Sequence, residues 1–129
     1  MAKVTGIGGI FFKAQNAENL RAWYREHLGI EGTPEGGAVF EWRDAADPNR
    51  RGMTVWAVFP EDTKYFNPTR STFMLNYRVA NLKETLAELR TRGIPVDERV
   101  EESEFGKFGW ITDPEGNRIE LWEPPHDGA

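Results

Sequence analysis

The sequence predicts an α+β fold made of two similar halves in one domain, and three observations carry that prediction. A strand pattern, a helix pattern and further strand patterns occur in that order, and then occur again. Each half has an Asp-Pro turn before a last strand that runs into a proline, Pro60 or Pro124. The chain has 129 residues, 39% of them hydrophobic, enough for one buried core but not two. The first half spans about 5–60, a linker 61–70 and the second half about 71–124, a repeat at about 64 residues that is longer than a solenoid period. Each half alone is too small for a good core, so the two must pack together or swap between chains.

Residues 5–13, TGIGGIFFK, read as a first strand weakened by Gly6, Gly8 and Gly9, and glycines inside strands mark close approach of another group. The stretch NAENLRAWYREHLGI reads as a helix: Asn16 can cap it, Leu20, Trp23, Tyr24 and Leu28 form one apolar stripe, and Gly29 can end it. AVFEWRD and MTVWAVF follow as strands across the turn DPNRRG. PEDTKYFNPTRS has loop composition. The second half then gives the strand FMLNYRV and the helix NLKETLAELRTRGI, where Asn81 and Glu84 have capping-box spacing and Leu82, Leu86 and Leu89 form the buried stripe. Strands VDERV, GWIT and RIELW complete it, with the turn DPEGN between the last two.

Bulk properties exclude several functions. A net charge of -5 with no basic run longer than Arg50-Arg51 offers no footprint for nucleic acid or an anionic membrane. Zero cysteines exclude thiolate nucleophiles, disulfides and Cys-based metal sites. The opening MAKVTGIGGIFFK is too short and glycine-broken for a membrane span and poor as a signal peptide, so a cytoplasmic protein is expected. GIGG lacks the spacing of a phosphate-binding loop.

The segments AENLRAWYREHLGI, YRVANLKETLAELRTRGIPV and GWITDPEGNRIELWEP resemble the vicinal oxygen chelate superfamily, which includes glyoxalase I, extradiol dioxygenases, methylmalonyl-CoA epimerase and bleomycin-resistance proteins. The resemblance covers nearly the whole chain and implies two βαβββ modules whose curled mixed sheet forms a cup, helices outside and ligand inside. It also implies a homodimer, with the cup built within one chain or across two. Metal-dependent relatives place ligands on the first and last strands of each module. Carried over, those positions are Gly9, Trp56 (or Thr54, counting from the turns), Met74 and Glu120. Glycine has no ligand atom, and a thioether suits hard divalent ions poorly. One carboxylate does not hold such an ion, so the metal site reads as lost and no cofactor is expected.

Alternation, anchored on those positions, puts Phe11, Thr54, Trp56, Val58, Met74, Asn76, Arg78, Arg118, Glu120 and Trp122 inside the cup. Of these, Phe11, Trp56, Met74, Asn76, Arg78, Glu120 and Trp122 are the candidate ligand-binding residues: an apolar lining with sparse polar groups. Plainer roles stand beside this one. The last strand can be half-solvated sheet, Met74 and Trp56 can be core fillers, and Arg78 with Glu120 can be a structural ion pair. His27 suits the end of a helix and His126 a tail, and neither reads as a ligand.

Two functions follow. One is a metal-free cup that binds a small aromatic or amphipathic molecule, with Glu120 selecting a cationic group. The other is a lyase or isomerase of the glyoxalase or epimerase type with Glu120 as catalytic general base and Arg78 and Asn76 stabilising an enolate. The linker, with Tyr65 and Phe66, can be a swap hinge, a lid over the cup or only a connection.

Overall fold

The computed structural model describes residues 3–33 and 37–125, so His126 lies outside the described residues. In chain order the elements are β1 (Val4–Ala14), α1 (Ala17–Leu28), β2 (Ala38–Arg43), β3 (Arg51–Pro60), β4 (Phe73–Val79), α2 (Leu82–Thr91), β5 (Val96–Ser103), β6 (Gly106–Thr112) and β7 (Arg118–Glu123). Both helices form where the sequence puts them because their ends are chemically marked. Asn16 accepts a hydrogen bond from the Asn19 N–H at 3.0 Å, and Asn81 accepts one from the Glu84 N–H at 3.0 Å. Gly29 closes α1 in the left-handed region at φ 67°, as its lack of a Cβ allows.

The seven strands form one curled, open, mixed sheet in the order β2-β3-β1-β4-β7-β6-β5. At its centre β1 and β4 pair antiparallel, and each then takes the last strand of its own half as a parallel neighbour, β3 and β7. The repeat is therefore a twofold relation across the middle of the sheet. Among the described residues the first half contributes one strand fewer than the βαβββ expectation, because β5 has no counterpart there.

Both helices pack on one face. Val79, Leu82, Leu86 and Leu121 form the buried cluster beneath α2, with Leu89 and Ile119 packed against it. Beneath α1, Tyr24 lies edge-on to Trp56 at 5.0 Å and Arg21 donates to the Val58 carbonyl at 2.6 Å. The predicted α1 stripe is only half used, since Trp23 and Leu28 remain 50% and 62% exposed. On the opposite, concave face Phe11, Phe66, Met74 and Trp110 form a second cluster with Val55, Ala57, Phe59 and Phe108 around it. Phe66 comes from the linker and is fully buried, worth about 1.5–3 kcal/mol of transfer free energy. The linker is thus a cover over the cup.

The inward placement of Trp56 and Val58 is corrected by the structure. Phe11 pairs with Ala57 and Phe12 with Val58, so Trp56 and Val58 share the helix-side face with Ile10 and Phe12, while Val55, Ala57 and Phe59 face the cup. The cause is a one-residue difference between the strand ends: Pro60 is the last residue of β3, whereas Pro124 follows β7. Matching the prolines shifts the register by one, and one residue reverses every side chain. Phe11 opposite Ala57 corresponds to Asn76 opposite Glu120, so Ala57 is the true counterpart of Glu120.

Candidate functional site

The turn DPEGN delivers β7 in fixed register. Asp113 accepts hydrogen bonds from the backbone of Glu115 and Asn117 at 2.9 Å each, and Gly116 supplies the positive φ of 85°. The Asn117 side chain donates to the same carboxyl at 2.9 Å, and this bond, followed by the backbone ones, holds Asp113 below its ordinary range. Thr112 then pairs with Arg118 and Trp110 with Glu120. From β4, Asn76 pairs with Glu120 on the other side.

Glu120 is 1% exposed and holds the centre of the cup. Asn76 Nδ2 donates to its Oε1 at 2.6 Å, Trp110 Nε1 donates to Oε2 at 3.0 Å, and the Tyr65 hydroxyl donates to Oε2 as well. All three partners are neutral donors. Burial pushes the Glu120 carboxyl above the usual carboxylate range, and the three hydrogen bonds pull the other way. The Tyr65 hydroxyl is raised above its ordinary value by burial first and by the Glu120 charge second, so it stays a proton donor.

Arg78 forms no ion pair with Glu120. Its guanidinium lies between the rings of Trp42 and Trp122, 5.3 and 5.1 Å from their centroids, and donates to the Met53 carbonyl at 3.5 Å. Burial lowers its pKa, but an arginine retains its charge. Room for this stack comes from Gly8, where β1 shifts register: a Cβ there would stand 2.1 Å from Asn76 Oδ1, 2.9 Å from Trp122 and 3.1 Å from Arg78 Cγ. The glycines of β1 thus admit side chains of the neighbouring strands. Arg118 is neutralised by Asp97 at 3.1 Å and lies 5.2 Å over Trp110, and Asn76 Oδ1 is a buried acceptor without a partner.

The structure brings Phe11, Met74, Asn76, Arg78, Glu120 and Trp122 to the concave face and leaves Trp56 on the helix side. His27 is exposed beside Trp23, 5.0 Å between ring centroids, away from the cup. Sequence reasoning missed Trp110, Phe59 and Ala57. Trp110 was within reach, because counting outward from the DPEGN turn sets it opposite Glu120. Among the described residues no group of three or more His, Cys, Asp or Glu side chains lies close enough to hold a metal ion. The positions related by the twofold, Gly9, Ala57, Met74 and Glu120, offer one carboxylate and one thioether. No helix among the described residues is long and apolar enough to cross a membrane.

Known proteins agree with this architecture. Methylmalonyl-CoA epimerase from Streptomyces coelicolor is similar at 18% identity and a TM-score of 0.67, over 95% of this chain and 99% of that one. The epimerase from Mycobacterium tuberculosis is similar at 20% identity and 0.58, over 94% and 89%. A glyoxalase/bleomycin resistance protein/dioxygenase superfamily member from Vibrio splendidus is similar at 9% identity and 0.56, over 95% and 99%. At such identities the likeness establishes the fold. No curated protein matches the chain. A family profile described as a glyoxalase-like domain matches residues 9–122, and the chain belongs to that family.

Proposed function

We propose that this glyoxalase-like chain binds a small aromatic or amphipathic molecule in its cup, without a metal centre. The observation that carries the reading is the setting of Glu120: one buried carboxylate among aromatic rings, its oxygens already met by neutral donors. Gly9 and Ala57 have no ligand atoms, and the Met74 thioether is a poor match for hard divalent ions. That donor set does not fit a divalent ion. The same walls suit a flat ring: Phe59 and Trp110 already hold the face and edge of the Tyr65 ring and Phe108 stacks on Trp122, and Glu120 would accept from a donor group on the ligand.

Calorimetric titration with benzylamine and toluene tests this. Benzylamine should bind the parent, and Glu120→Gln should weaken it by about tenfold or more, the range of a hydrogen bond to a charged group. Toluene should be affected less than about twofold, because it makes no such bond. Equal losses for the two compounds would remove Glu120 from the site.

One observation favours a second reading, an enzyme of the lyase or isomerase type. Burial raises the Glu120 pKa, the property a general base needs near neutral pH. The base would take a proton beside a carbonyl, with Asn76 and Arg78 facing the developing enolate. Against it, Arg78 is already held between two indoles, and side chains replace a metal's several kcal/mol of enolate stabilisation poorly. Deuterium uptake into phenylacetone from heavy water, present in the parent and absent in Glu120→Gln, would support this reading; no uptake in the parent would remove it.

A further inference from the structure

We infer that the helix-side face of β1 and β4 binds a second copy of this chain, in a twofold pair that leaves both cups on the outside.

The sheet is wider than its two helices can cover. α1 rests on β3 and β1 and α2 on β5, β6 and β7, so the helices stand about three strand spacings apart, roughly 15 Å. Helices in contact lie about 8–10 Å apart. The gap falls over β4 and the facing side of β1. There Ile7 pairs with Tyr77, Ile10 with Leu75 and Phe12 with Phe73, three apolar pairs on the side of the sheet away from Glu120. Nothing among the described residues covers this floor: Phe73 is 56% exposed, Ile7 43%, Leu75 38% and Ile10 37%. On the cup side of the same strand, Met74 and Asn76 are each 1% exposed, so β4 leaves its apolar side open and closes the side that carries an amide.

The first helix extends the open surface. Phe73 stacks on Phe12 at 5.7 Å, Phe12 meets Tyr24 at 6.2 Å and Tyr24 meets Trp23 at 5.1 Å, a run of rings from β4 to α1. Trp23, at its end, is 50% exposed.

Size, charge and shape select a second copy as the occupant. Ile7, Ile10, Trp23, Phe73 and Leu75 together present about 500 Å² of apolar surface, counting about 150–250 Å² for a whole aromatic side chain and somewhat less for an aliphatic one. Contiguous apolar patches of that size mark contact surfaces. A stable pair buries about 800 Å² on each partner, about 65% of it apolar where the chains are identical. One copy therefore carries the apolar part of one side of such an interface. The three pairs and Trp23 include no charged residue, so identical faces can meet without burying an unpaired charge, even in a chain of net charge -5. The shapes agree too, because the floor lacks a cover and α1 carries a ring that its own sheet leaves half exposed. In a twofold pair the α1 of each copy lays Trp23 on the floor of the other. The contact lies on the face opposite Glu120, so each cup is built within one chain.

Sedimentation equilibrium of the full chain tests the inference. The parent should run at twice the chain mass between about 1 and 100 μM. Phe73→Glu and Trp23→Glu should each raise the dissociation constant of the pair by about tenfold or more. Phe105→Glu, at a side chain 58% exposed on the turn between β5 and β6, should change it by less than about twofold. Trp23→Glu lies on a helix surface and keeps the test open if Phe73→Glu disturbs β4. A parent that stays monomeric at about 100 μM would overturn the inference, and its flotation with phosphatidylcholine vesicles would give the face to a lipid surface instead. A pair that Trp23→Glu leaves intact, or that only Phe105→Glu weakens, would equally overturn it.

Discussion

The two halves share a chain path but not a chemistry. Around the twofold, Gly9, Phe11 and Ala57 of the first half stand where the second half has Met74, Asn76 and Glu120. The first half gives the cup small and apolar surfaces; the second gives it the carboxylate, the amide, the indole N–H and the guanidinium. A buried carboxylate is tolerable only where donors converge on it. Asn76 and Trp110 flank Glu120 on adjacent strands, while Ala57 has Phe11 beside it. Duplication supplies a backbone twice, and the polar centre needs to be built once.

The largest test of that asymmetry is Trp110→Ala. It should cost about 3–5 kcal/mol in urea unfolding, as removal of a buried tryptophan does, and it also leaves Glu120 with one donor fewer. Trp42→Ala in the first half should cost less, because Trp42 is half-buried and its N–H reaches the Thr54 hydroxyl at the sheet edge. Equal costs would mean that the halves share the burden.

A smaller effect distinguishes the carboxylate from its shape. Glu120 has a pKa raised on folding, so the folded state binds its proton more tightly than the unfolded chain does. Its contribution to stability is full below the unfolded value of about 4.3 and is lost as pH rises through the folded value. Glu120→Gln has no such proton, and Asn76 can turn its unpartnered Oδ1 toward the new amide. Melting at pH 4 and pH 8 should therefore show the variant gaining on the parent as pH rises. A variant that loses ground instead would mean that the three donors outweigh burial.

The smallest effect should be symmetric. Asn16→Ala and Asn81→Ala each remove one cap bond of 3.0 Å and should each cost about 1 kcal/mol. Unequal costs, measured by urea unfolding of the two variants, would show that the duplication is uneven even at the helix ends.

Much of this was legible along the chain because its physics is local. Caps at Asn16 and Asn81, the stop at Gly29 and the DPEGN turn depend on neighbours a few residues away. Alternation placed Phe11, Met74, Asn76, Arg78, Glu120 and Trp122 on one face, since the register shifts of β1 fall before Phe11 and the period of two runs unbroken through 74–78 and 118–122. Trp56 was misplaced because its face depends on where β3 ends relative to β1, a relation between strands. The partner of Arg78 could not be read, and the linker's role as a cover carrying Tyr65 and Phe66 stood only as one of three possibilities, since both are chosen by residues far apart in sequence.

The sequence by itself determined the repeat, the helices, the turn that aims Glu120 and the poverty of ligand atoms at Gly9 and Met74. Tertiary structure alone decided that Ala57 replaces Trp56 in the cup, that Arg78 rests between Trp42 and Trp122, and that Tyr65 closes on Glu120. Local signals act through the backbone of a few neighbouring residues. A buried charge, by contrast, selects its partners from whatever the folded sheet and its covering loop bring within hydrogen-bond reach.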